Sequence, residues 1–162
     1  MAKHKEKKTN AMRMLDQAGI AYEVHTYDHE DGRIDGLSVA RKLGENPEQV
    51  FKTLITVGDD HNHYVFCLPV EQELDLKKCA RVAGVKKVEM LPVKELFKKT
   101  GYIRGGCSPI GMKKLFKTFY DETLVLWDTV IFSGGQIGLQ VELAPDDVVR
   151  ITEGTVTSLT RD

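Results

Sequence analysis

Two apolar, β-branched runs, Val50 to Val57 and His63 to Val70, stand on either side of the charged segment Gly58-Asp59-Asp60-His61-Asn62. Runs of this length and composition around a polar turn read as a β-hairpin. Alternation along the first run puts Val50, Lys52, Leu54 and Thr56 on one face and Phe51, Thr53, Ile55 and Val57 on the other. Both faces are largely apolar, so either orientation sets the Lys52 ammonium beside buried surface. A chain that carries such a hairpin is organised around strands.

The remaining pattern supplies more strands and short helices. Asn10 reads as the cap of a helix with Ala11, Met14, Leu15 and Ala18 on one face and Gly19 at its end. Tyr22 to Tyr27 reads as a strand, Asp28 to Gly36 as a polar loop, and Leu37 to Leu43 as a helix stopped by Gly44. Asp75 caps a helix ending at Gly84, with Leu76, Ala80 and Ala83 inward. Lys86 to Met90 is a short strand, and Pro92 opens a helix (Val93, Leu96, Phe97) closed by Gly101. Strands follow near Leu115–Tyr120, Leu124–Phe132 and Ile137–Leu143, then a last helix from Pro145 to Ile151. Strands in runs, with helices gathered to one side, predict an α+β fold. The 162 residues suit one domain, 10–162, behind a disordered basic arm, 1–9.

Composition removes several classes. The longest mainly apolar stretch, His63 to Val70, is too short to span a bilayer, and the charged N-terminus leads into no apolar run, so neither a membrane span nor a signal peptide is expected. Cys67, Cys79 and Cys107 are odd in number and widely spaced, which argues against a disulfide framework or zinc site and for a reducing cytoplasm. The net charge of −1 hides an asymmetry: Lys77 to Lys117 carries +10 and the remainder −11. Such a segment is either a set of solvated helix faces or a surface that gathers polyanions, whether nucleic acid, anionic lipid or phosphorylated metabolite.

Few residues offer chemistry. Lys52 is either a lysine that snorkels to the strand edge or a clamp for carboxylate or phosphate. The loop Gly105-Gly106-Cys107-Ser108-Pro109-Ile110-Gly111 is either a tight connector or a backbone cradle whose N–H groups bind an oxyanion. Ser133-Gly134-Gly135-Gln136-Ile137-Gly138 reads as a hairpin turn. Cys107 reads as a thiol nucleophile or as a small buried residue, and no histidine adjoins it. The five histidines show no metal-ligand spacing, and no metal or cofactor is expected. Tyr27, where a strand enters the polar loop, suits a rim aromatic or a pocket lid.

These motifs together resemble the YbaK/EbsC family. The resemblance is carried by Lys8-Thr9-Asn10-Ala11, His25-Thr26-Tyr27-Asp28-His29, Val50-Phe51-Lys52-Thr53-Leu54, Gly84-Val85-Lys86-Lys87-Val88-Glu89-Met90, the run Gly101 to Gly111 and the run Ser133 to Pro145. It extends from about Lys8 to Ile151, and within the family it is to the Cys-tRNA(Pro)/Cys-tRNA(Cys) deacylases. It implies a relative of the prolyl-tRNA synthetase editing domain, a mixed six- or seven-stranded barrel-like sheet with surrounding helices. The family's functional lysine falls on Lys52 and its Gly-Gly-x-Ser-Pro loop on Gly105, Gly106, Ser108 and Pro109. Its pocket tyrosine and serine fall on Tyr27 and Ser133, the latter followed by Gly134.

The resemblance also gives the charge a meaning. A tRNA acceptor end is a polyanion held largely through phosphates, which assigns Lys86, Lys87, Lys98, Lys99 and Arg104 to tRNA contact. It implies removal of cysteine from Cys-tRNA(Pro), and by extension Cys-tRNA(Cys), in transient complex with prolyl-tRNA synthetase and without membrane or DNA. Cysteine nearly matches proline in size, so a synthetase pocket has little energy with which to exclude it. The implied chemistry is attack by the cysteinyl thiol on its own ester, with Lys52 and the Gly105 and Gly106 amides supporting the charge. Activated-water hydrolysis and a catalytically silent tRNA-binding module are the alternatives.

Overall fold

The Val50–Val70 hairpin is the centre of the structure, a computed structural model that describes residues 8–161. Strands β2 (Phe51–Gly58) and β3 (His63–Pro69) pair antiparallel from Phe51↔Pro69 to Val57↔His63. Three more strands extend this sheet: β4 (Val88–Met90) on β2, and β5 (Lys117–Asp121) and β8 (Thr155–Thr157) in parallel beyond β3. A second, antiparallel sheet has the order β1 (Glu23–Thr26), β7 (Leu139–Leu143), β6 (Val130–Ser133).

The fold is therefore α+β with mixed strands, as the runs of strands predict. The expected single sheet of six or seven strands is instead two sheets, of five and three strands. They meet where Val50 and Ile131 form an isolated parallel bridge, the Ile131 N–H donating to the Gln49 carbonyl at 3.1 Å. Among the described residues no ladder closes the two sheets into a barrel. Part of the difference lies at Glu122–Leu126, read as the start of a strand from Leu124. It is a 3-10 turn, because the Asp121 carboxylate accepts from the Thr123 N–H and hydroxyl and bends the chain there.

Five helices flank the sheets: α1 (Asn10–Gln17), α2 (Gly36–Leu43), α3 (Leu76–Ala83), α4 (Val93–Thr100) and α5 (Pro145–Ile151). Asp35 and Asp75 cap α2 and α3, and Gly44, Gly84 and Gly101 end α2, α3 and α4 in the left-handed region. The cap of α1 is Thr9 rather than Asn10: its hydroxyl accepts from the Met12 N–H and donates to the Gly134 carbonyl. Lys8 and Thr9, read as part of the disordered arm, are thus held, Lys8 by Asp16; residues 1–7 lie outside the described residues. Val93 and Phe97 of α4 and Leu76 of α3 face solvent instead of the core. Among the described residues no helix is long and apolar enough to cross a membrane.

The hairpin divides the interior. Phe51, Ile55, Val65 and Cys67 pack with α1 and the three-stranded sheet, where Phe51 and Tyr120 lie against Phe132 at ring distances of 5.6 and 5.9 Å. Phe66 and Leu68, on the opposite face, pack with Cys79 and Ala80 of α3 and with Leu159. Val50 and Val70 form a third cluster with Ala40 of α2 and Ile131. Each large side chain buried in this way contributes about 1.5–3 kcal/mol.

Candidate functional site

Strand register places the lysine. Val50 and Ile131 are bridged in parallel and share a face, so alternation puts Lys52 and Ser133, two residues further along each strand, on that same face, past the residues that bridge the two sheets. Ser133 pairs with Gln140, and Gln140 with His25. A polar row, Ser133, Gln140 and His25, therefore crosses β6, β7 and β1 on the side away from the main core, and Lys52 lies on the corresponding face of β2. Lys52 is half-buried, and burial pulls its ammonium below the ordinary lysine range while the Glu73 charge partly opposes this. Among the described residues it makes no hydrogen bond or ion pair.

Three loops frame the edge of this row. Gly105 sits at φ +87°, where only glycine is unstrained, and a Cβ there would lie 2.7 Å from Ile34 Cδ1 and 3.4 Å from Ile137 Cγ1. At Gly106 a Cβ would lie 3.1 Å from the Ile137 nitrogen and 3.2 Å from Gln136 backbone carbon. The two glycine loops thus approach backbone to backbone, with Ile34 of the 28–36 segment wedged against them. Tyr27 closes the third side: its N–H donates to the Gly138 carbonyl at 3.0 Å, and its side chain is half-buried.

The expected roles separate at this point. The Gly106 N–H donates to the Ile103 carbonyl at 2.9 Å, so it is not an available oxyanion donor; the N–H groups of Gly105 and Cys107 have no protein acceptor among the described residues. Ser108 and Pro109 are buried, and the Ser108 hydroxyl accepts from the Ile110 N–H, which shapes the loop from within. Tyr102, also buried, anchors the same loop through its hydroxyl to the Ile110 carbonyl at 2.6 Å. Ser133 accepts from the Gly135 N–H, and the Gly134 N–H donates to the Leu139 carbonyl. Burial pushes the Cys107 thiol up to about 12, which removes the thiolate a nucleophile needs.

Behind the row lies a network the sequence did not announce. His25 Nε2 is 2.7 Å from Glu142, whose second oxygen accepts from the Thr129 hydroxyl. Glu45, just after α2, presents Oε1 with no partner, as does Gln140 Oε1. Burial raises the Glu45 carboxyl above its ordinary range, opposed by a hydrogen bond from Gln140 and the neighbouring His25. Glu23, His25 and Glu142 also form a possible metal-ligand group, with ligand atoms within 4.8 Å of one another. The alternation of Gln140 and Glu142 on an otherwise apolar strand was the available signal.

The basic residues come from several elements. Lys98 and Lys99 line a groove of about 620 Å³ with His61, His63, Lys113, Lys114 and Lys117. Lys86 and Lys87 lead into β4, their N–H groups facing Asp59, and Lys87 is paired with Glu89 at 2.9 Å. Arg104 is exposed beside Gly105.

The fold is an α+β domain with the half-buried Lys52 near the meeting of two sheets and two glycine loops packed backbone to backbone. Residues 37–151 match the aminoacyl-tRNA editing domain model, and the chain belongs to that family. EbsC of Enterococcus faecalis, provisionally named a Cys-tRNA(Pro)/Cys-tRNA(Cys) deacylase, is 46% identical over 161 residues, covering 99% of this chain and 98% of its own. Among solved structures, one provisionally described as a trans-editing enzyme for prolyl-tRNA synthetase superposes with a TM-score of 0.84 at 23% identity, covering 94% of this chain and 96% of its own. A hypothetical protein superposes with a TM-score of 0.85 at 21% identity, covering 94% and 99%.

Proposed function

We propose that the protein is a cytoplasmic trans-editing deacylase that removes cysteine from Cys-tRNA(Pro), in transient complex with prolyl-tRNA synthetase. The observation that carries this reading is Lys52, a half-buried cation with no hydrogen bond or ion pair among the described residues, on the face of β2 that corresponds to Ser133 of β6, the strand that leads into the loop packed on Gly105 and Gly106. The substrate follows from family membership and from the 46% identical relative named for it.

The chemistry is intramolecular. The cysteinyl sulfur attacks its own ester carbonyl, the C–S bond forms, and the bond to the ribose oxygen breaks. The thiol proton ends on that oxygen, leaving a thiolactone and free tRNA. The protein's part is to fold the ester into this geometry and to stabilise the oxygen that gains charge. Lys52 supplies a cation in partly desolvated surroundings, where its effect exceeds that in water. The free Gly105 and Cys107 N–H groups are the donors of the loop, and Gly106 allows the close approach that sets it. Cys107 is a neutral packed thiol, and the reaction does not use it. Ser133 and Tyr27 shape the wall that receives the terminal nucleotide.

The test uses Cys-tRNA(Pro) and its S-methylcysteinyl counterpart. Fast loss of the cysteinyl ester, released as its thiolactone, together with slow turnover of the S-methylated ester is the expected result. Equal rates would replace thiol attack by activated water. No release from either would return the fold to a binding module.

A further inference from the structure

The groove that holds Lys98 and Lys99 lies away from Lys52. It lies at the opposite end of the hairpin, where His63 pairs with Val57; from Lys52 to Val57 is five steps of strand, about 17 Å. Five lysines (Lys98, Lys99, Lys113, Lys114 and Lys117) meet there from two segments of the chain, α4 and the stretch that leads into β5. None of the five makes an ion pair among the described residues, in contrast to Lys87. The carboxylates nearby are engaged or few: Asp60 accepts from the Tyr64 hydroxyl and from Asn62, and Glu95 lies on α4. Burial first, and then the Lys99 and Lys114 charges, push His63 below its ordinary range, opposed by Glu95.

The groove also carries surface for bases. Phe97 is 57% exposed with the Lys113 ammonium 5.0 Å from its ring centre, and Leu115 is 51% exposed. A path leads from it to the pocket. The Lys113 side chain packs on Gly101, and the exposed Ile103 and Arg104 follow before Gly105.

We infer that this groove is a second RNA site, which holds the phosphodiester backbone of the acceptor arm while the esterified terminal nucleotide occupies the Lys52 pocket. The inference rests on the deacylase reading for what sits in the pocket. A ligand that engages both places must bridge about 17 Å, more than a free amino-acid ester or a single nucleotide provides. A concave groove with cations on its walls and an exposed aromatic at its rim suits a nucleic acid strand, whereas a flat basic face would suit a bilayer surface. Phosphate contacts here position the acceptor arm without reading its sequence.

The experiment compares the full-length protein with a variant carrying Lys98→Gln, Lys99→Gln, Lys113→Gln and Lys114→Gln, and with a control carrying Lys77→Gln and Arg81→Gln on α3. Binding of uncharged tRNA is followed against salt, and deacylation is measured on full-length Cys-tRNA and on a short cysteinyl oligonucleotide ending in CCA. Loss of four phosphate contacts should lower the slope of log K against log salt by about 3 to 3.6. KM for full-length substrate should rise at least tenfold with kcat kept, and the short substrate should be processed as before. The control should keep the parental slope. An unchanged slope in the quadruple variant overturns the inference, as does equal loss on the short substrate. Loss of binding to phosphatidylserine vesicles with tRNA binding intact overturns it too, in favour of a membrane surface. Because tRNA binding is read without chemistry, a protein that deacylates nothing still tests the groove, and normal deacylation with an unchanged slope removes the groove alone.

Discussion

Replacing Lys52 by Met separates a functional charge from a structural one. Lys52 sits half-buried opposite Leu68, with Val50 and Leu54 on its face, and it has no ion-pair partner among the described residues. Burial holds its ammonium below the ordinary lysine range. The folded protein therefore binds this proton more weakly than the unfolded chain does. At neutral pH that costs stability, and the cost disappears only as pH rises through the folded value towards 10.5. Met keeps the stem that packs along the strand and removes the charge. Stability should be unchanged or higher by up to about 1 kcal/mol, a rise in Tm of about 2–4 °C at most for a domain of this size. Deacylation should fall about 10²–10³-fold, the loss typical of removing one preorganised electrostatic group, about 3–4 kcal/mol. Thermal unfolding at pH 7 and single-turnover deacylation read the two effects on one sample. A Tm below the parent's would make Lys52 a structural residue, and a rate within about tenfold of the parent's would refute the catalytic argument.

Three further outcomes follow from the geometry. Cys107→Ala should keep deacylation within about threefold, since a thiol raised to about 12 holds almost no thiolate at pH 7; a collapse equal to that of Lys52→Met would instead make Cys107 the nucleophile. Gly106→Ala places a methyl 3.1 Å from the Ile137 nitrogen without a positive φ to confound it, so the two loops must part by a few tenths of an ångström; deacylation should drop about tenfold or more with Tm changed by only a few degrees, and an unchanged rate would deny the loops a role in positioning. The Glu45 carboxyl, raised by burial, contributes stability that is full below its unfolded value of 4.5 and is lost as pH rises through the folded one; Glu45→Gln, whose amide can donate to the orphaned Gln140 oxygen, should gain about 1 kcal/mol at pH 8 and nothing at pH 4, and parallel melting curves across that range would contradict the sign.

The elements that were legible in the sequence are those whose cause is local. Asp35, Asp75, Gly44, Gly84 and Gly101 cap and stop their helices through bonds a few residues long, and the β2–β3 hairpin follows from alternation around one turn. Lys52 as a cation in an apolar strand and the two glycine-rich loops as irregular connections were also legible, from residue type and spacing. Other features depended on partners far along the chain. Thr9 displaces Asn10 as the cap of α1 because its hydroxyl also reaches the Gly134 carbonyl. Phe97 faces solvent because α4 turns Leu96 to the core and leaves its other apolar positions uncovered.

The sequence by itself therefore determined the strand-centred α+β class, a cation within an apolar strand and the glycine-rich connections, since these arise from periodicity and from residue types that act on their neighbours. Only the tertiary structure decided which amides remain free among the described residues, that Lys98 and Lys99 share a groove with Lys113, Lys114 and Lys117, and that Ser133, Gln140 and His25 stand in one row across three strands. The physical reason is register. A single parallel bridge between Val50 and Ile131 joins the two sheets, and no local preference of either residue specifies that pairing.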